Sequence, residues 1–186
     1  MKRVNNHGKY DTRSSISFNF AKEDILPSTA TVQFLNLKHP TDFRSYDGVS
    51  VFLVQSGRGT LMINNYPHEL KAGSCFFLHF FLFFKFIPDP ETGLELCECF
   101  APSVNYHFAL NIPGSPLQSF EVTEGFLEMN LSSELYAHTL SALEHMYSCS
   151  NLVLQNIYFY KLLGYLERAR KEALTNGRTD VQPPME

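Results

Sequence analysis

The chain has 186 residues, of which 44% are apolar and 18% charged, and its formal net charge is −4. It is therefore long enough to bury the core of one domain, and its apolar content is that of an ordinary globular protein. The slightly negative charge excludes an overall basic field that would attract nucleic acid.

The N-terminal part of the chain predicts an arm followed by short strands. Residues 1–15 are polar and charged, and we expect a flexible arm there. Apolar and polar residues alternate at 16–20, which predicts a strand. A second strand is predicted at 30–37, and Pro40 ends the regular pairing that follows it.

The next segment predicts a hairpin and a further turn. Residues 49–55 and 60–63 are rich in β-branched and apolar residues, and the glycines of SGRG at 56–59 predict a tight turn between them. Asn64-Asn65 predicts the next turn, a short strand follows at 67–70, and KAG at 71–73 turns the chain again.

A phenylalanine-rich run at 75–87 predicts two strands with a bend near Phe80-Phe81. Both faces of this run are apolar, so the usual alternation is hidden, and one face needs cover from another element. A loop is predicted at 89–93 and a strand at 94–101. Short strands at this regular spacing are typical of a sandwich or a barrel.

Two helices are predicted after about residue 125. Ser132 or Ser133 can cap the first helix, with Glu134 in its first turn. The second helix is predicted at 152–174, and Asn176-Gly177 supplies its C-cap. Its apolar stripe either packs on the outside of the barrel or joins two copies of the chain, and we expect a homodimer through the residues Leu152, Phe159, Leu162, Leu166 and Ala169.

The four cysteines and the N-terminus indicate the cellular compartment of the protein. Cys97 and Cys99 lie on one face of a predicted strand, a poor geometry for a disulfide, and no cysteine pair has zinc-finger spacing. No secretory signal follows Met1, and the longest apolar run is too short to cross a membrane as a helix. We therefore expect a cytoplasmic protein with reduced thiols and no membrane partner.

Three segments together carry a resemblance to a known family. They are SGRGTL at 56–61, INNY at 63–66 and HELKAG at 68–73, followed by an apolar strand. This pattern resembles the cupin barrel of the AraC-type bacterial transcription regulators, and the two C-terminal helices match that family's dimerisation helices. The resemblance covers roughly residues 16–175.

The resemblance implies a mainly β fold, a cupin-like barrel (a double-stranded β-helix, or jelly roll) followed by two C-terminal α-helices. The implied organisation is an arm at 1–15, the barrel at 16–125, a two-helix dimerisation region at 126–176 and a linker or tail at 177–186. In that family the barrel binds a small effector, and a separate helix-turn-helix module binds DNA. We expect this chain to stop where that module would begin, as an excised regulatory domain or a naturally short relative, and not to bind DNA by itself.

The site implied by the resemblance lies in the barrel interior. Metal-dependent cupins carry a His-x-His pair and a later histidine, whereas this chain has no His-x-His and carries Phe84 at the later position. We therefore expect no metal and no cofactor. The implied effector site has aromatic walls, which suits an apolar or aromatic effector better than a sugar. Its expected residues are Phe84 and Phe86 on one strand, Glu95, Cys97 and Cys99 on another, and Lys38 or His39 at the end of an earlier strand.

Two other functions are compatible with the sequence. The phenylalanines can simply fill the barrel, which would leave a ligand-free interaction scaffold. A metal-independent cupin enzyme, such as a sugar isomerase or epimerase, would need a general acid and base, for which His79 with Glu95 or Glu98 is the best available pair. Nothing in the sequence places that pair together, and we expect the chain not to be an enzyme.

Overall fold

The computed structural model describes residues 30–111 and 125–175. The predicted arm at 1–15, the predicted strand at 16–20, the cap at Asn176-Gly177 and the tail at 177–186 lie outside the described residues. The described strands and helices are, in chain order, β1 (Thr31–Leu37), β2 (Gly48–Ile63), β3 (Tyr66–Lys71), β4 (Ser74–Leu78), β5 (Phe84–Pro88), β6 (Leu94–Pro102), α1 (Ser103–Leu110), β7 (Phe126–Asn130), α2 (Ser133–Ser148) and α3 (Leu152–Thr175).

The strands form two antiparallel layers that share β2. The first layer has the order β1-β6-β2-β4-β7, and the second is made where β3 and β5 pair with the later half of β2. The residues between the layers form a closed apolar interior. The prediction of a mainly β barrel followed by two C-terminal helices is confirmed.

Strand β2 corrects one predicted turn. The segment at 56–59 does not reverse the chain, because β2 runs without a break through both layers and bends at an irregularity between Val54 and Ser56. Gly57 has a φ of +79°, and a Cβ at this position would collide with the carbonyl oxygen of Gly93. This glycine therefore permits a close approach of two strands within a bend.

The other predicted turns are found where the sequence places them. Asn64 and Asn65 both have positive φ, at 47° and 71°, and join β2 to β3. Both central residues of a type I′ hairpin turn need positive φ, which asparagine tolerates. Phe81, with a φ of 60°, lies in the bend between β4 and β5. The bend near Phe80-Phe81 is therefore confirmed.

The predicted two-helix region at 126–176 opens with a strand, β7, which pairs with β4. The first helix starts at Ser133, where the sequence predicts it. The hydroxyl of Ser132 accepts a hydrogen bond from the amide of Leu135 at 3.3 Å and caps this helix. Helices α2 and α3 are antiparallel, since Arg168 near the end of α3 pairs with Glu134 in the first turn of α2 at 3.1 Å.

Two apolar cores lie on opposite faces of the first layer. The interior core, between the layers, consists of Tyr46, Phe52, Val54, Leu61, Ile63, Leu70, Phe76, Leu78, Phe84, Phe86, Leu94, Leu96 and Phe100. The helix-side core joins the outer face of that layer to the helices, and includes Val51, Leu53, Cys75, Phe77, Cys97, Cys99, Tyr106, Leu143, Phe159, Leu162 and Leu166. The layer between them is a single sheet.

The helix-side core corrects the predicted dimerisation stripe. Phe159, Leu162, Leu166 and Ala169 are buried there within one chain, so they are not available to a second copy in this fold. Leu152 alone of the predicted stripe is exposed, at 45%. The stripe therefore packs on the outside of the barrel, which also covers the apolar outer face of the sheet. Within the described residues, no helix has the length and apolar character needed to cross a membrane.

Candidate functional site

The interior core is built largely from aromatic rings in mutual contact. Phe84 is central to it, with its ring centroid 5.1 Å from that of Phe52, 5.4 Å from Tyr46 and 6.0 Å from Phe86. Tyr46 also meets Phe100 at 5.2 Å. Most of these pairs have tilted or edge-to-face geometry, which the ring quadrupoles favour. The result is an apolar compartment with aromatic walls.

A carboxylate lies inside this compartment. Glu98 on β6 projects to the same side as Leu96 and Phe100, and its side chain is fully buried (0% exposed). Its Oε2 accepts a hydrogen bond from Nε2 of Gln33 at 2.8 Å and lies 3.9 Å from Nη1 of Arg44. We call Gln33, Arg44 and Glu98 the interior polar group.

Arg44 reaches Glu98 because its segment runs beside β5. The backbone amides and carbonyls of Arg44 and Phe84 exchange two hydrogen bonds, at 2.8 and 2.9 Å. Thr41 reinforces this pairing, since its amide donates to the carbonyl of Phe86 at 2.9 Å and its hydroxyl accepts from the amide of Phe86 at 3.0 Å. The segment before β2 thus closes one edge of the barrel.

Ser50 adds a further polar atom to the same face. It lies opposite Phe100 in the pairing of β2 with β6, and Phe52 lies opposite Glu98. Ser50 and Glu98 are therefore diagonal neighbours on the interior face, with Cα atoms about 7–8 Å apart in such an arrangement. Ser50 is 2% exposed, and its Oγ has no hydrogen-bond partner among the described residues.

The opposite edge of the barrel carries a second polar pair. Nδ1 of His68 on β3 lies 3.4 Å from Oε2 of Glu128 on β7. The imidazole also packs against Phe126, at a centroid distance of 4.8 Å, and more loosely against Phe76, at 6.1 Å. This contact joins the two layers at the edge away from Arg44.

The structure places the expected site residues in three different surroundings. Phe84 and Phe86 lie in the interior core, whereas Cys97 and Cys99 lie in the helix-side core. Glu95 is exposed, and its carboxylate accepts hydrogen bonds from Ser56 at 2.7 Å and Asn36 at 2.8 Å. Lys38 and His39 are also exposed.

The alternation of side chains along β6 explains why Glu95, Cys97 and Cys99 do not line the interior. Successive side chains of a strand point to opposite faces, so Leu94, Leu96, Glu98 and Phe100 share the interior face and the residues between them face outward. The expected inward set of Glu95, Cys97 and Cys99 has the opposite parity. Glu98 is not among the ligand contacts predicted from the sequence, and because the residues on both faces of this strand are apolar, the sequence pattern gives no signal that selects it.

The buried thiols of the helix-side core have surroundings that disfavour reactivity. Burial raises the pKa of Cys75 to about 12, and burial is also the main cause of the raised pKa of Cys97. A thiol must ionise to act as a nucleophile or a metal ligand. Because burial disfavours ionisation of Cys75 and Cys97, neither role suits these two thiols. They contribute apolar volume beneath the helices.

His79 does not meet either candidate acid partner. Burial, with a smaller effect from His107, lowers the pKa of His79. Its ring contacts those of Phe80 and Tyr106, and Tyr106 belongs to the helix-side core. Glu98 lies in the interior and Glu95 is exposed, so the structure does not assemble the acid–base pair considered for an isomerase.

Metal ligands are likewise not assembled in the described part of the chain. Within residues 30–111 and 125–175, no three His, Cys, Asp or Glu side chains are grouped so that they could hold a metal ion. Phe84, at the position that the resemblance assigns to a histidine, is surrounded by other aromatic rings. The chemistry of the interior is that of an apolar compartment with a charged pair at its edge.

Comparison with known proteins identifies the fold. No protein-family model matches the chain, and no curated protein matches its sequence. An apo variant of ToxT from Vibrio cholerae strain SCE256 superposes with a TM-score of 0.55 at 12% identity, covering 86% of this chain and 61% of that one. Wild-type ToxT of the same strain with a bound unsaturated fatty acid gives 0.53 at 13% identity, covering 84% and 65%.

A third crystal structure is ToxT from Vibrio cholerae O395 bound to (E)-4-(8-methylnaphthalen-1-yl)but-3-enoic acid. It gives a TM-score of 0.53 at 12% identity and covers 77% of this chain and 56% of that one. The present chain thus spans about three fifths of the length of the ToxT chains. ToxT is an AraC-family regulator with an N-terminal cupin-like domain, so the predicted resemblance is confirmed at the level of the fold.

Proposed function

We propose that this chain is the small-molecule-sensing domain of an AraC-type bacterial transcription regulator, acting in the cytoplasm and not as an enzyme. The observation that carries the proposal is the fully buried carboxylate of Glu98, held with Gln33 and Arg44 inside an aromatic compartment. A few placed polar groups within apolar walls are the usual composition of a small-molecule site. The ligand-bound ToxT structures, which share this fold, support it.

Stability alone gives a weak reason for the interior polar group. Removing a carboxylate and a guanidinium from water costs several kcal/mol per ion, and apolar side chains of similar volume often replace such pairs without loss of stability. The pair in this barrel therefore calls for a role beyond packing. Orienting a bound molecule is a role that the place of Glu98 between Leu96 and Phe100 on the interior face of β6 permits.

The proposed mechanism is a difference in affinity between two arrangements of the domain. A molecule that enters the interior must displace or rotate rings of the cluster around Phe84, because those rings contact one another. Such a molecule favours the arrangement that accommodates it, in proportion to its differential affinity.

Thermal unfolding in the presence of a ligand panel tests this proposal. The panel contains fatty acids, the corresponding alcohols, and naphthyl acids and alcohols. A ligand at about 100 times its Kd stabilises the folded state by about 2.7 kcal/mol, which raises Tm by about 5–10 °C for a domain of this size. We expect this shift in the wild type and in Phe83→Leu, an exposed position, and a smaller one in Phe84→Leu. No shift with any member of the panel would overturn the proposal.

The second part of the proposal is a homodimer formed through the C-terminal helices. The beginning of α3 exposes four apolar side chains within six residues, namely Leu152, Val153, Leu154 and Ile157, with Val153 at 68%. Tyr147 at the end of α2 is also exposed and meets Phe34 edge-on at 5.1 Å. A patch of this kind favours association with another surface, and we propose a second copy of the chain.

Sedimentation analysis distinguishes this surface from the buried stripe. Val153→Glu and Ile157→Glu change exposed positions, so we expect both variants to be folded monomers. Leu174→Glu alters another exposed apolar residue near the end of α3 and serves as the control that stays dimeric. A monomeric wild type at concentrations of tens of micromolar would contradict the homodimer.

A ligand-free interaction scaffold is the second candidate. The close ring contacts around Phe84 favour it, because small barrels can be filled entirely by their own side chains. It predicts a stable dimer that no member of the ligand panel stabilises. The thermal and sedimentation measurements together therefore separate the two candidates.

A further inference from the structure

The polar atoms that face the interior core define the head group that a ligand would need. Glu98 presents a carboxylate, which accepts hydrogen bonds and donates none when ionised. One of its oxygens receives the Gln33 amide at 2.8 Å and faces the Arg44 guanidinium at 3.9 Å. The charges of Arg44 and Glu98 offset each other, so the compartment is close to neutral before any ligand enters.

A second carboxylate in this compartment would be costly. It would compete with Glu98 for the Arg44 guanidinium at short range, where the low dielectric strengthens repulsion between like charges. An uncharged head group avoids that repulsion. It must still supply a hydrogen-bond donor if it is to engage the Glu98 carboxylate.

Ser50 supplies the independent second observation. Its hydroxyl is buried on the same face, diagonal to Glu98, and has no partner among the described residues. A buried hydroxyl without a partner is uncommon and costs stability, which points to a group that completes it. A ligand hydroxyl between the two residues could donate a hydrogen bond to Glu98 and accept one from Ser50.

We propose that the interior site takes an apolar or aromatic molecule whose polar end is an uncharged hydroxyl, a phenol or an alcohol, in preference to the corresponding carboxylic acid. This inference rests on the proposed small-molecule function and specifies its ligand class. The aromatic walls around Phe84 hold the body of the molecule, and Glu98 and Ser50 hold its hydroxyl.

Isothermal titration at pH 7 with two matched pairs tests the inference. The pairs are 2-naphthol with 2-naphthoate and 1-decanol with decanoate, below the micellar concentrations of the chain compounds. We expect at least one alcohol to bind about tenfold more tightly than its acid, since a hydrogen bond to a charged group contributes about that much. Glu98→Gln and Ser50→Ala should each weaken the binding of that alcohol and reduce its advantage over the acid.

Glu95→Gln is the matched control, because Glu95 lies on the same strand but is exposed on the other face. It should leave all four affinities unchanged. An acid that binds the wild type more tightly than its matched alcohol overturns this inference and leaves the small-molecule site in place. If none of the four compounds binds, the inference is overturned, and if the wider panel also fails, the proposed function falls with it. The ratio of alcohol affinity to acid affinity in the wild-type protein tests the inference even if one variant does not fold.

Discussion

The side chains of Arg44 and Glu98 connect the two layers of the barrel at one edge. Arg44 is bonded through its backbone to Phe84 of β5, and Glu98 belongs to β6 of the other layer. Their side chains approach to 3.9 Å. The contact therefore closes the interior as well as balancing its charge.

Replacing Arg44 by methionine should destabilise the domain by about 1–3 kcal/mol. The change keeps most of the apolar stem but removes the cation beside a fully buried carboxylate, and the partial exposure of Arg44 keeps the effect below that of a fully buried pair. Urea unfolding measures the difference. Arg58→Met, at an exposed position of β2, should change the free energy of unfolding by less than about 0.5 kcal/mol. Equal effects would contradict the role given to Arg44.

Neighbouring phenylalanines offer a sharper comparison. Phe84 is 2% exposed and contacts three other rings, whereas Phe83 is 60% exposed. Phe84→Ala should cost about 3–5 kcal/mol through lost burial and the cavity that remains. Phe83→Ala should cost less than about 1 kcal/mol, since its backbone bonds to Asn64 survive. Similar losses in chemical unfolding would mean that the strand register is different.

Alanine substitutions at two glycines with positive φ distinguish the cost of backbone strain from the cost of a steric collision. A methyl group at Gly73, whose φ is +89°, would meet no atom of the described residues within 4 Å, so Gly73→Ala should cost about 1–2 kcal/mol from its φ alone. Gly57→Ala adds a collision with the carbonyl of Gly93 and should cost about 1–3 kcal/mol more. Thermal unfolding of the two variants checks the order, and a more stable Gly57→Ala would refute the continuous bend of β2.

The cysteines should differ in reactivity in the folded protein. Cys149 is partly exposed, while Cys75, Cys97 and Cys99 are buried. Ellman's reagent should therefore modify one thiol promptly and three only as the protein unfolds, since those three are shielded from the reagent and burial raises the pKa of Cys75 and Cys97. Cys149→Ser should abolish the prompt reaction. Two or more prompt thiols in the wild type would show that the helices do not cover the sheet stably.

The local turns are predictable from the sequence because their causes are local. Asn64 and Asn65 carry their own tolerance of positive φ, and the bend after β4 falls near Phe80-Phe81, where the sequence predicts a bend. The prediction at Gly57 is wrong because the reason for this glycine is not local. A glycine that turns a hairpin and a glycine that lets Gly93 approach look the same in the sequence.

The parity of β6 is hidden in the sequence for a different reason. Leu96 and Phe100 on one face, and Cys97 and Cys99 on the other, are all apolar, because the strand is covered by rings on one side and by helices on the other. Glu95 and Glu98 are the polar residues of this strand and have opposite parity. The choice between them depends on which face of the strand points into the barrel, and this follows from the tertiary fold.

The helical stripe of α3 raises the same difficulty. Phe159, Leu162 and Leu166 recur at the spacing of a buried face, and that spacing is correct. The period specifies that a surface covers these residues, but it does not specify whether that surface belongs to the same chain. The sheet of the same chain covers them here.

Strand β2 separates the interior core from the helix-side core by a single layer of backbone. Phe52 touches the rings of the interior, and the residues on either side of it in the chain, Val51 and Leu53, belong to the core beneath the helices. Backbone displacement at Phe52 cannot leave its neighbours in place, because the three share two planar peptide bonds. Rearrangement of the rings and repacking of the helices are therefore mechanically tied through a single stretch of backbone.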